Sequence, residues 1–153
     1  MQKITPCLWF DKEADEAVNF YVETFKDAKR GATQRYDEAS SKASGMPADT
    51  VLMVEFQLNG QDFLALNGGP AFKFTEAVSF IINCADQAEI DYYWEKLSAV
   101  PESEQCGWLK DKFGLSWQVV PENMSELVKT PAAMEAMMNM KKIDIKALQD
   151  AGK

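Results

Sequence analysis

The sequence predicts an α+β fold built from two paired βαβββ modules with mainly antiparallel, curved sheet. Three observations predict it. The order strand, helix, strands runs twice along the chain. Setting Phe20-Tyr21 on Tyr92-Tyr93 also places Val18 on Ile90, Asn19 on Asp91 and Cys7 on Ser79, so the halves align residue by residue. The glycines mostly occupy hairpin-like positions, Asn59-Gly60 above all, and none forms a Gly-rich turn between a strand and a helix.

In the first half, Ile4 to Phe10 reads as a strand, and Pro6 near its start favours an edge or a strand beginning. Residues 12–26 follow as an amphipathic helix, because Ala14, Ala17, Val18, Tyr21, Val22 and Phe25 recur at steps of three and four; Asp11 is placed to cap it. A short strand is expected from Ala32 to Tyr36. Asp37 to Asp49 is polar and without periodicity, which predicts a mobile loop. Thr50 to Leu58 alternates, with Leu52, Val54, Phe56 and Leu58 on one face and Val51, Met53, Glu55 and Gln57 on the other. Asn59-Gly60 then turns the chain into an antiparallel return from Gln61 to Asn67, ended by Gly68-Gly69-Pro70.

The second half repeats the order. Glu76 to Cys84 is an apolar strand, and Asp86 to Leu97 a helix burying Ile90, Tyr93, Trp94 and Leu97. Two or three strands follow. The last comes after a turn at Asp111-Lys112-Phe113-Gly114, with Leu115, Trp117 and Val119 on one face and Ser116, Gln118 and Val120 on the other. Pro121 has no ladder donor and stops it. Module one is thus 3–67 and module two 76–121, a single domain over 3–121. Residues 122–153 form a helical tail with Met134, Met137, Met138 and Met140, which either covers its own domain or meets a second copy.

Composition narrows the function. The 153 residues are 46% hydrophobic with nine Phe, four Trp and four Tyr, enough for a substantial core. Sixteen basic against 24 acidic residues give a net charge of −8 without a basic cluster, which argues against nucleic acid. No apolar run approaches the roughly 18 residues of a membrane helix. The N-terminal stretch is too short and too aromatic for a signal peptide, and Cys7, Cys84 and Cys106 are odd in number, so reduced thiols and a cytoplasmic location are expected. There is no histidine, which removes the commonest metal ligand and the commonest general base together.

Ile4-Thr-Pro-x-Leu-Trp-Phe10, Phe20-Tyr21, Asn59-Gly60-Gln61, Asn67-Gly-Gly-Pro70 and Cys106-Gly-Trp-Leu-Lys-Asp-x-Phe-Gly-Leu-Ser-Trp-Gln-Val-Val-Pro121 strongly resemble the PhnB-like proteins. That family also carries the label 3-demethylubiquinone-9 3-methyltransferase, and it falls in the glyoxalase/bleomycin-resistance (dihydroxybiphenyl dioxygenase-like, vicinal oxygen chelate) superfamily. The resemblance covers residues 3 to 150 and implies paired βαβββ modules assembled as a homodimer. Metal-binding members of the superfamily take His or Glu from four strand positions. Carried over, these fall on Cys7 and Leu64 in module one and on Ser79 and Gln118 in module two. Leu and Ser are not usual divalent-metal ligands and a Gln amide oxygen is a weak one, so no metal is expected. The methyltransferase label implies S-adenosylmethionine, but the Gly-rich turn of a Rossmann-type methyltransferase is missing, so no cofactor is expected either.

The expected ligand-binding residues are Cys7, Trp9, Glu55, Ser79, Trp108, Ser116 and Gln118. The indoles offer flat walls to an aromatic or quinone-like molecule, and the Gln and Ser side chains offer hydrogen bonds. Glu55 is the candidate base, because desolvation inside an apolar strand would strengthen it; a wet strand face is the competing position. Cys7 reads as a nucleophile without an activating histidine, or as a buried inert thiol. Three functions remain open: a metal-independent small-molecule cleft whose reaction is unassigned, a sequestration protein of the bleomycin-resistance type, or the methyltransferase of the label.

Overall fold

A computed structural model describes residues 2–153 of the chain, which divides into two compact units, Met1–Lys73 and Phe74–Lys153. The first holds β1 (Cys7–Phe10), α1 (Ala14–Thr24), β2 (Ala28–Arg35), α2 (Glu38–Ser44), β3 (Val51–Leu58) and β4 (Gln61–Asn67). Its four strands lie in the order β1-β4-β3-β2. β1 and β4 are parallel and the other pairs antiparallel, so the sheet is mixed. The helix α1 lays Ala14, Ala17, Val18, Tyr21 and Thr24 on one face of it, all buried. Opposite them Val54, Phe56, Leu58, Phe63 and Ala65 are buried, with Tyr21, Phe56 and Phe63 stacked in succession at 6.2 and 5.2 Å. Each such ring pair contributes about 0.5–1.5 kcal/mol beyond its area. The turn Asn59-Gly60 has φ of 49° and 81°, the left-handed pair a two-residue hairpin demands, which is why Gly stands second.

Four local expectations are corrected in this unit. β1 starts at Cys7, after Pro6, because proline cannot join the ladder. Asp11 does not cap α1: Glu13 stands at the cap position without a side-chain bond, and the Ala14 N–H donates instead to Asn67 Oδ1 on β4 at 2.8 Å. Asn67 is buried; its side-chain amide nitrogen donates to Val51 O at 3.1 Å and its backbone carbonyl accepts from Tyr36 Oη at 2.5 Å. The strand expected at 32–36 begins earlier, at Ala28, and carries a bulge between Arg30 and Thr33. Arg30 pins that bulge to α1 by donating to Asp15 Oδ1 at 2.5 Å and Asn19 Oδ1 at 2.8 Å. The loop expected over 37–49 contains α2. It buries none of its residues and is formed by its ends: Asp37 and Ser40 make a reciprocal capping box, and Gly45 closes it in the left-handed region.

The second unit holds β5 (Ser79–Cys84), α3 (Gln87–Leu97), β6 (Trp108–Lys110), β7 (Ser116–Pro121), α4 (Met124–Leu127), α5 (Pro131–Met138) and α6 (Ile145–Ala151). Its strands lie in the order β5-β7-β6, with β5 and β7 parallel. α3 buries Ile90, Tyr93 and Leu97, and Asp86 caps it by accepting from Glu89 N at 2.9 Å. β5 begins at Ser79 rather than Glu76, leaving Val78 exposed; Ile81 within it is exposed too. The sheet has three strands, not four. In place of a fourth, a 3-10 turn at Pro101–Ser103 lies along β6. Ala99 N donates to Lys110 O at 2.9 Å, and Ser103 Oγ accepts from Lys110 N at 3.1 Å.

β7 is set by the turn before it. Asp111, wholly buried, accepts from the backbone N–H of Phe113 at 2.8 Å and of Leu115 at 3.1 Å, and from the Trp117 indole at 2.9 Å. The tail lies against this unit. Ala133, Ile143 and Leu148 are fully buried, and Met140 O and Lys141 O accept from Cys106 N and Gly107 N, both at 2.8 Å. It therefore covers its own unit, leaving Met134 and Met138 exposed. Among the described residues, no helix is long and apolar enough to cross a membrane.

Candidate functional site

Strand alternation gives each sheet a face packed on its helix and a face turned away from it. In the first unit the far face carries Cys7, Leu64 and Glu55 in one row across β1, β4 and β3, and Trp9, Leu66 and Met53 in the next. The position of Leu64 opposite Cys7 is thereby fixed. A groove of about 470 Å³ lies here, lined among others by Lys29, Gly31, Glu55, Gln57, Asp62 and Leu64.

Glu55 is exposed on this face, on the wet side of its strand rather than buried within it. Its strand neighbours Val54 and Phe56 point the other way, into the core. Cys7 is exposed rather than buried; partial desolvation still pushes its thiol above the ordinary value, which disfavours the nucleophilic thiolate. The buried thiol is Cys84, pushed up to about 12, first by burial and then by Glu89 and Asp86.

Trp9 is built into its place. Its indole donates to Gly69 O at 2.9 Å and meets the Phe72 ring edge-on at 4.9 Å, while Gly68 passes beneath with no Cβ. Phe72 is exposed, and nothing in the sequence pattern singled it out, because it lies in an irregular segment without periodicity.

In the second unit the far face carries Ser79, Trp108, Ser116 and Gln118, brought into register by β5, β7 and β6. Gln118 donates through Nε2 to Ser79 Oγ at 3.0 Å. Lys110 stands on the same face opposite Ser116 and pairs with Glu76. That contact, a hydrogen bond first and a charge interaction second, holds the Glu76 carboxyl below its usual range. Lys110 was missed in the sequence reading, although alternation from Trp108 points to it. A second cavity of about 450 Å³ opens here between the 3-10 turn and strands β6 and β7.

The donor chemistry decides what these faces can hold. Leu64 has no donor atom, and Gln118, whose Nε2 donates to Ser79 Oγ, offers only a neutral amide oxygen, a weak ligand. Among the described residues, no three His, Cys, Asp or Glu side chains stand where they could hold a metal ion. The four positions therefore do not fit the superfamily's metal. Among the described residues the strand-to-helix connections are Asp11-Lys12-Glu13, Tyr36-Asp37, Ala85-Asp86 and Glu122-Asn123, with no glycine, so none fits S-adenosylmethionine in the Rossmann manner.

Residues 2–120 match the family model described as 3-demethylubiquinone-9 3-methyltransferase. Among solved structures, the chain is similar to a PhnB protein from Bacillus cereus provisionally named for the same methyltransferase. The two are 36% identical over 78% of this chain and 99% of that one, with a TM-score of 0.63. A protein from Pseudomonas aeruginosa is 18% identical over 79% of this chain and 98% of its own, at a TM-score of 0.57. A glyoxylase/bleomycin resistance protein/dioxygenase domain from Frankia is 15% identical over 80% and 94%, at 0.50. These last two show the fold. No curated protein matches the chain.

Proposed function

The chain belongs to the 3-demethylubiquinone-9 3-methyltransferase (PhnB-like) family, and from that premise we propose that it binds a small aromatic or quinone-like molecule without a metal. One observation carries the reading. Cys7, Trp9, Glu55, Ser79, Trp108, Ser116 and Gln118 all fall on the faces of their sheets turned away from the helices. In the second unit the Trp108 indole beside Ser79, Ser116 and Gln118 gives a ring wall with a few hydrogen-bonding groups, the make-up of a small-molecule site.

Sequestration is the second reading, favoured by the exposure of Glu55, the candidate base of the first unit's face. The methyltransferase reading has no support in the strand-to-helix turns. Duroquinone is a suitable probe, because its fully substituted ring resists addition of thiols. Calorimetry should show saturable binding that survives treatment with a chelator and weakens at least tenfold in Trp108→Ala, about 1.4 kcal/mol. Failure of wild-type protein to bind, or binding abolished by chelation, would sink the proposal. Turnover of the probe would favour an enzyme, unchanged stoichiometric complex a sequestering protein.

The same reading includes a cytoplasmic homodimer. Exposed Ile81, Val78, Met134 and Met138 are apolar surface for a second copy to cover. Light scattering at micromolar concentration should give twice the chain mass of 17.2 kDa. A clean monomer would count against it.

A further inference from the structure

Ser116 is the one buried side-chain polar atom without a hydrogen-bond partner among the described residues, and it stands in the wall of the second unit's cavity. Its residue is wholly inaccessible. Leaving a buried hydroxyl unpaired is unfavourable, and native structures keep few such groups. The other hydroxyl of the same cavity shows the contrast: Ser103 Oγ donates to Val100 O at 2.6 Å and accepts from Lys110 N. The register neighbours of Ser116 are Ser79 and Lys110, and neither bonds to it: Ser79 Oγ accepts from Gln118 Nε2, and Lys110 pairs with Glu76.

We propose that Ser116 is a ligand-anchoring residue, whose hydroxyl hydrogen-bonds an oxygen of a neutral aromatic molecule lying against Trp108. The surroundings select that chemistry. Trp108 supplies a half-buried ring wall. Lys110 and Glu76 neutralise each other and Glu102 opposes an anion, so a neutral ring bearing a carbonyl or phenolic oxygen fits. The proposal rests on the small-molecule reading above and deepens it by naming the group that is recognised.

Ser116→Ala separates anchoring from structure, because the two roles move stability in opposite directions. Removing an unpaired buried hydroxyl should raise the melting temperature by about 2–4 °C, whereas removing an engaged one should lower it. Duroquinone should bind Ser116→Ala at least tenfold more weakly than wild type, and naphthalene, a ring without oxygen, should bind both equally. Ser116→Cys, close in shape but a weak donor, should lose duroquinone affinity in the same way. Unchanged duroquinone binding in folded Ser116→Ala or Ser116→Cys overturns the anchor and leaves the small-molecule reading standing. A melting temperature several degrees lower in Ser116→Ala also overturns it. Wild-type protein that binds neither probe overturns both.

Discussion

Replacing Asp111 with alanine should destabilise the fold by about 4 kcal/mol, a large effect for a single side chain. The carboxylate is wholly buried and accepts three hydrogen bonds, from Phe113 N, Leu115 N and the Trp117 indole. Bonds to a charged acceptor are worth about 1.5–3 kcal/mol each, and truncation leaves all three donors facing a void. The backbone of the same turn closes through Asp111 N to Leu115 O and Gly114 N to Asp111 O, both at 3.0 Å, so its geometry does not depend on the carboxylate entirely. That keeps the figure below the sum of three full bonds. Trp117→Phe removes one donor and should cost about 1–2 kcal/mol. Urea unfolding followed by circular dichroism measures both. An Asp111→Ala variant within 1 kcal/mol of wild type would show that the turn stands without its side chain.

The second large effect is expected at Gly68. A Cβ built there would lie inside the Trp9 indole, so alanine must push the ring away. The move breaks the bond from Trp9 Nε1 to Gly69 O and the edge contact with Phe72. Overpacking of this kind, with one lost hydrogen bond, should cost about 2–3 kcal/mol, or roughly 5–10 °C in melting temperature. In a Trp9→Leu background the same change should cost less than about 1 kcal/mol, because the clash and the bond are gone already. Equal penalties in the two backgrounds would defeat the assignment, and a thermal melt of the four proteins decides it.

Much of this fold is legible in the sequence because its signals are local. Asn59-Gly60 sets a hairpin through backbone preference, and alternation along β7 assigns Ser116 and Gln118 to one face without reference to anything distant. The misses have non-local causes. Nothing near Asp11 says that Asn67, more than 50 residues on, will take over the cap of α1. α2 was hidden for the opposite reason: it lacks an apolar stripe and is specified by its two ends, Asp37 and Gly45. At the site, the residue types and their faces could be read, but exposure could not. Glu55 lies among apolar letters, yet the alternation that buries Val54 and Phe56 turns it outward. Phe72 and the unpaired state of Ser116 depend on chain paths and neighbouring bonds that no spacing encodes.

The 3-10 turn beside β6 shows which part of a duplicated unit can be dispensed with. A strand lost from the middle of a sheet strips two neighbours of their partners, but one lost from the rim exposes a single row of groups. Here that row is short, and Ala99 N and Ser103 Oγ satisfy both the carbonyl and the N–H of Lys110. With the donors and acceptors satisfied locally, the rim is sealed against strand addition by another chain. The two units can therefore differ at their outer strand, one keeping it and the other carrying a turn, without disturbing the pair of parallel strands at the opposite edge that each retains.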